Sequence, residues 1–199
     1  MKYSDTILQD YVRTILLTFT SDTTIVLWDL YNEVGNSGHV ENSLPLLKKI
    51  FNWARLVNPS QPLTSGHWNG DIHFENINNY ILSESDVITF HAYCDEKCTH
   101  DYIARMEVFK RPVICTEYMA RPLNSKFITH LPIFKEKNVW AINWGFVFGR
   151  TQTYYPWWSK QGDPIPDVWF HDVIHANGTS FNVAETDFIK SITKVTEVK

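Results

Sequence analysis

Several features that would mark a specialised chain are missing from this sequence. No apolar run approaches the roughly 18–20 residues of a membrane-spanning helix, so no membrane partner is expected. An excess of one charge is missing too. Eighteen Lys and Arg face 22 Asp and Glu for a net charge of −4, without a basic cluster, which argues against nucleic acid as the partner. Three cysteines, Cys94, Cys98 and Cys115, are too few, and odd in number, for a disulfide framework. Low-complexity stretches and linkers are lacking, so 1–199 reads as one domain. At the start, Ser4, Asp5 and Thr6 stand where a signal peptide carries its 7–15 apolar residues, which leaves the compartment open. Aromatic surface, by contrast, is plentiful. Eight Trp, nine Tyr and twelve Phe exclude disorder.

Along the chain, short β-rich runs alternate with helical patterns. Strands are predicted at 24–28, 61–65, 86–91, 112–116 and 139–144. Helices are predicted at 44–57, 74–82, 101–109, 125–137 and 183–193, the last after the turn Asn177-Gly178-Thr179. Ile7, Leu8, Tyr11, Val12, Ile15 and Leu16 recur at helical spacing and predict one more helix at the start. Strand-then-helix order implies a parallel sheet with crossover helices. The strand ends, near 33, 65, 91, 117 and 144, define a unit of about 28 residues, and eight such units make a (β/α)8 barrel of about 250 residues. Five units are present. The expected fold is therefore a partial (β/α)8 barrel.

Chemistry-bearing residues gather at the strand ends, where such barrels place their active sites. Ile25-Val26-Leu27-Trp28 runs into Asp29-Leu30-Tyr31-Asn32-Glu33, and Val113-Ile114-Cys115-Thr116 runs into Glu117-Tyr118 three units later. Between them, a strand ends in His91-Ala92-Tyr93, and the last strand ends in Trp144. Two carboxylates with unlike surroundings are what retaining glycoside hydrolysis asks for. One carboxyl protonates the leaving oxygen, and the other, about 5–5.5 Å away, attacks the anomeric carbon. Tyr93 is placed to hydrogen-bond Glu117 and keep it charged, Asn32 to hold a sugar hydroxyl, and Trp144 to stack on the ring. Trp68, just past the strand at 61–65, is divided between sugar contact and loop packing.

These strand ends resemble, in order, strands four, six, seven and eight of the cellulase-like retaining glycosidases with catalytic glutamates on strands four and seven. Among them, the chain looks most like a family-5-type member. Arg121-Pro122, Gln152-Thr153, Tyr155-Pro156-Trp157 and Val168-Trp169-Phe170-His171-Asp172 add to the likeness. The resemblance implies cleavage of a β-glycosidic bond in a poly- or oligosaccharide. It casts Glu33 as acid/base, Glu117 as nucleophile and Asn32 as the 2-hydroxyl contact, with His91, Tyr93 and Trp144 in the active site. No cofactor is implied. Val34 departs from the Pro that many relatives carry. Strands one to three, which usually add an Arg and a His near the nucleophile, have no counterpart, so a truncated gene product is a further reading. A non-catalytic carbohydrate-binding or scaffold protein derived from a glycosidase is the alternative function.

Other clusters read more plainly. His91, Cys94, Cys98 and His100 are zinc-type ligands but lack the usual spacer between ligand pairs, so no metal is expected and Cys94 and Cys98 are expected as free thiols. Cys115 is expected to be a small core residue. Trp157 and Trp158 are expected to pack the final loop. The segments 24–28 and 139–144 would be open sheet edges, and apolar edges recruit partners. Sedimentation of the isolated chain should therefore show self-association or marginal folding. A monodisperse monomer that unfolds cooperatively would contradict this.

Overall fold

In a computed structural model of the chain, residues 2–194 are described, with side chains from residue 5 onward; Met1, part of the signal-peptide reading, lies outside them. The order of elements is α1 (Lys2–Thr18), β1 (Trp28–Asp29), α2 (Leu44–Val57), β2 (Leu63–Thr64), α3 (Glu75–Glu84), β3 (Ile88–Ala92), α4 (Glu96–Glu107), β4 (Val113–Tyr118), α5 (Phe127–Glu136), β5 (Trp140–Ala141) and α6 (Val183–Thr193). Two compact units share them. The first holds Met1–Thr89 and Phe109–Pro112, the second Phe90–Val108 and Val113–Lys199.

In the first unit, β1 and β2 pair in parallel, with Trp28 opposite Leu63 and Asp29 opposite Thr64. Helix α2 begins with Pro45 in its first turn, where a missing N–H costs nothing. It ends at Asn58 in the left-handed region, whose N–H returns to the Ala54 carbonyl. Its spacing buries Leu47, Ile50, Phe51, Trp53 and Ala54. Leu47, Phe51 and Ala54 join Leu16, Val34, Leu63, Phe74, Ile77 and Ile81 in one core. Arg55 on α2 grips both oxygens of Asp86, at 2.8 and 2.9 Å, while Asp86 Oδ2 also accepts the N–H of Leu63. The helix predicted at the start forms as α1, but only part of its apolar stripe is used. Leu16 is buried and Val12 packs on the core, whereas Ile7 and Tyr11 are exposed.

In the second unit, β4 pairs in parallel with β5, Ile114 opposite Trp140 and Cys115 opposite Ala141. Cys115 is fully buried, and desolvation pushes its thiol far up, consistent with the core role expected for it. The last strand is shorter than predicted. Regular strand pairing covers only Trp140–Ala141, after which single bonds from the Ile142 and Trp144 N–H groups reach the Cys115 and Tyr118 carbonyls. Helix α4 starts at Glu96, not at 101. Asp95 caps it by accepting the Cys98 N–H at 2.9 Å, a cap the sequence reading overlooked. The expectation of free thiols at 94 and 98 fails, since Cys94 and Cys98 form a disulfide across this cap. Helices α2 and α6 match their predicted bounds.

The end of β4 is fastened by Arg121, which is buried. Its guanidinium donates to the carbonyls of Trp169 (2.7 Å) and Asp172 (3.0 Å) and to both carboxylate oxygens of Glu185 on α6. The Arg121 N–H adds a bond to the Phe170 carbonyl. The segment 169–172 is thereby sewn to the turn that follows Glu117.

Candidate active site

Glu33 does not end a strand as the sequence suggests. Strand β1 stops at Asp29, and Glu33 lies four residues further on, in a turn at φ 46°. That turn is nonetheless well anchored. Leu30 N–H donates to Thr64, and Ser65 Oγ to the Tyr31 carbonyl. Val34 is fully buried in the first unit's core. Gly35 has φ +84°, and a Cβ there would lie 2.9 Å from the Phe74 ring and 3.0 Å from Val40 Cα, so only glycine fits. Asn36, which the sequence reading overlooked, donates from Nδ2 to Glu33 Oε2 at 2.6 Å. Asn32 is exposed beside Glu33. Trp68 gives its indole N–H to the Val34 carbonyl at 2.9 Å and meets Phe74 edge-on at 5.4 Å. Its loop-packing role is thus evident, and it also steadies the backbone next to Glu33.

The second unit carries the other carboxylate. Glu117 sits on β4, with its side chain largely covered. Tyr93 donates its hydroxyl to Glu117 Oε2 at 2.9 Å, the bond expected from the sequence. His91, buried on β3, brings Nδ1 to 3.5 Å from the same oxygen. A hydrogen bond donated to a carboxylate favours its ionised form. Trp144 lies in the loop beyond β5, half exposed, with its N–H toward the Tyr118 carbonyl.

A cleft of about 550 Å³ opens beside Trp144, bordered by Gln152, Tyr155, Trp157 and His171. Trp157 packs on Tyr93, Phe170 and His171, as expected for the final loop, yet keeps 56% of its surface exposed. Gly145, at φ +81°, follows Trp144; a Cβ there would come within 2.8 Å of Asp172 Oδ1 and His171 Cβ. Asp172 is fully buried and accepts the Thr153 hydroxyl at 2.5 Å; burial raises its pKa above the usual carboxylate value. His171 is buried too. Its desolvation, reinforced by the Arg121 charge, outweighs the Met119 hydrogen bond and holds its pKa down at about 4. Neither His171 nor Asp172 announces its role in the sequence, because both act through partners distant along the chain.

No protein-family model and no curated protein matches the sequence. Solved structures do match in shape. An endo-beta-1,4-xylanase of glycoside hydrolase family 10 from Gloeophyllum trabeum superposes with a TM-score of 0.61 at 16% identity, over 94% of this chain and 66% of that one. An endo-1,4-beta-xylanase from Caldicellulosiruptor owensensis gives 0.64 at 12% identity, over 96% and 68%. XacCel5A, solved with cellopentaose, gives 0.61 at 12% identity, over 94% and 65%. The chain thus spans about two thirds of the length of these structures. Its fold is part of the (β/α)8 barrel found in glycoside hydrolases of this kind.

The histidine shift has a consequence for stability. A group held neutral in the folded state stabilises fully above its unfolded pKa of 6.5 and less as pH falls toward about 4. His130, also lowered chiefly by burial, acts in the same direction. Asp172, raised by burial, acts oppositely, its contribution being lost as pH rises above 3.8. The thermal midpoint should therefore fall between pH 6.5 and 4, and His171→Phe should flatten that slope in calorimetric scans. An unchanged slope would refute the assignment of His171.

Proposed function

We propose that this barrel portion belongs to a retaining glycosidase that cleaves β-glycosidic bonds in a poly- or oligosaccharide. Glu117 attacks the anomeric carbon to form a covalent glycosyl-enzyme. Glu33 protonates the departing oxygen and then removes a proton from the water that releases the sugar. The observation that carries this reading is the Tyr93 hydroxyl donated to one oxygen of Glu117 at 2.9 Å, with His91 Nδ1 3.5 Å from the same oxygen. Such a donor suits a carboxylate that must remain an anion until it attacks.

The other residues take supporting parts. Asn32 holds the sugar's 2-hydroxyl, the position whose hydrogen bond strengthens as the oxocarbenium-like transition state forms. Trp144 offers a half-exposed indole face to the ring, and Trp68 contributes at the first unit's rim. Asn36 helps to orient the Glu33 carboxyl through its 2.6 Å bond. The reaction proceeds on carboxyl groups alone and calls for no metal or organic cofactor. The substrate is a carbohydrate, and the exposed apolar side chains of Trp140 and Ile142 on the last strand and just after it favour self-association of the chain.

The test is kinetic. Glu117→Ala should lower hydrolysis of an activated aryl β-glycoside by at least about a thousandfold. Added azide should restore turnover by occupying the space of the lost carboxylate, yielding a glycosyl azide of opposite anomeric configuration. Unchanged hydrolysis in Glu117→Ala would rule the mechanism out.

A further inference from the structure

His171 is a buried side chain for which the mechanism above has no use. It is 1% exposed, and its Nδ1 lies 2.7 Å from the Met119 carbonyl. A carbonyl only accepts, so Nδ1 carries the proton and Nε2 is left as an acceptor. Among the described residues Nε2 is buried with no hydrogen-bond partner. An orphaned buried acceptor costs stability that an apolar ring in the same place would not. The imidazole therefore stands where packing alone would favour a phenyl or aliphatic group.

What the ring touches, contacts that a phenyl could also make, shows what a ring at this position supports. Its centroid lies 5.4 Å from Tyr93 and 5.6 Å from Trp157, and Trp157 in turn meets Tyr93 edge-on at 4.8 Å. The phenol of Tyr93 thus leans on His171 and Trp157 while its hydroxyl reaches Glu117. His171 is tied by its Nδ1–H to Met119, two residues beyond Glu117 on the same segment. Arg121 clamps the carbonyls of Trp169 and Asp172 on either side. The wall behind Tyr93 and the carboxylate in front of it are consequently fixed to one frame. The tolerance is small, because a shift of about 0.6 Å takes a 2.9 Å contact to the edge of hydrogen bonding.

We propose that His171 is a positioning residue for Glu117, acting through the ring of Tyr93. The inference rests on reading Glu117 as the nucleophile, but its geometry is open to measurement without turnover. Three substitutions separate the links. Tyr93→Phe removes the donor itself. His171→Asn keeps an N–H for the Met119 carbonyl but removes the ring behind Tyr93. His171→Phe keeps a ring there and removes the N–H.

The readout is the side-chain carboxyl carbon of Glu117 in NMR spectra of the full chain labelled with 13C-glutamate. Tyr93→Phe should displace this resonance. His171→Asn should displace it in the same direction by at least half as much, and should add nothing in the Tyr93→Phe background. His171→Phe should leave it near its original position. With an aryl β-glycoside, His171→Asn should lower kcat about tenfold at constant KM. Should the Asn variant fail to fold, His171→Gln makes the same comparison with one more methylene. A Glu117 signal unmoved by His171→Asn but moved by Tyr93→Phe would overturn the proposal, as would equal displacement by the Asn and Phe variants. Loss of the glycosidase reading would register separately, as hydrolysis unaffected by Glu117→Ala.

Discussion

Burying a guanidinium obliges the surrounding chain to supply acceptors, and in the second unit this obligation organises the wall behind Tyr93 and Glu117. Arg121 carries five N–H donors in a rigid fork. The structure engages four of them with two backbone carbonyls from 169–172 and the carboxylate of Glu185. Removing the Glu185 carboxylate would leave the Arg121 charge buried and unpaired, a loss on the order of 3–5 kcal/mol. The same bonds settle where His171 and Asp172 point, and through them Tyr93 and Gly145. A long loop of little regular structure is thus held as firmly as a strand. It needs to be, because it backs the tyrosine that donates to Glu117.

The first unit reaches a similar end by other means. Its carboxylate sits on a turn, where backbone freedom would blur a catalytic position. Three contacts restrict it: the burial of Val34, the Trp68 indole on the Val34 carbonyl, and a glycine at 35 pressed against Phe74. Glu33 is therefore placed by the residues that follow it. Asn36 completes the arrangement from within the same turn.

How much of this was legible in the sequence depended on the range of the forces involved. Helix α2 was readable because its start and stop are local, Pro45 at one end and Asn58-Pro59 at the other. Helix α6 follows an Asn182 cap and was equally readable. The Glu117 strand end and its bond from Tyr93 were recovered because strand alternation and mouth position fix both residues. The strands at Trp28–Asp29 and Trp140–Ala141 were overestimated in length, since pairing there is decided by partners 35 and 26 residues away (Leu63 and Ile114). Free thiols were favoured over a Cys94–Cys98 bond because the spacing alone does not reveal the Asp95 cap, which starts α4 between the two residues. His171 looked like part of a motif without a task. Its tautomer and its contact with Tyr93 arise from residues 52 and 78 positions away, at Met119 and Tyr93.

The central claim is that Glu117 becomes covalently bonded to sugar during turnover. A 2-deoxy-2-fluoro β-glycoside with a good leaving group tests it directly, since the fluorine destabilises the oxocarbenium-like transition state and slows release of the intermediate. Mass spectrometry after incubation should show the chain heavier by one fluoroglycosyl group. Proteolysis should then place that group on the peptide bearing Glu117. Attachment to any other residue, or steady hydrolysis of a β-glycoside by this chain with inversion and no adduct, would contradict the account.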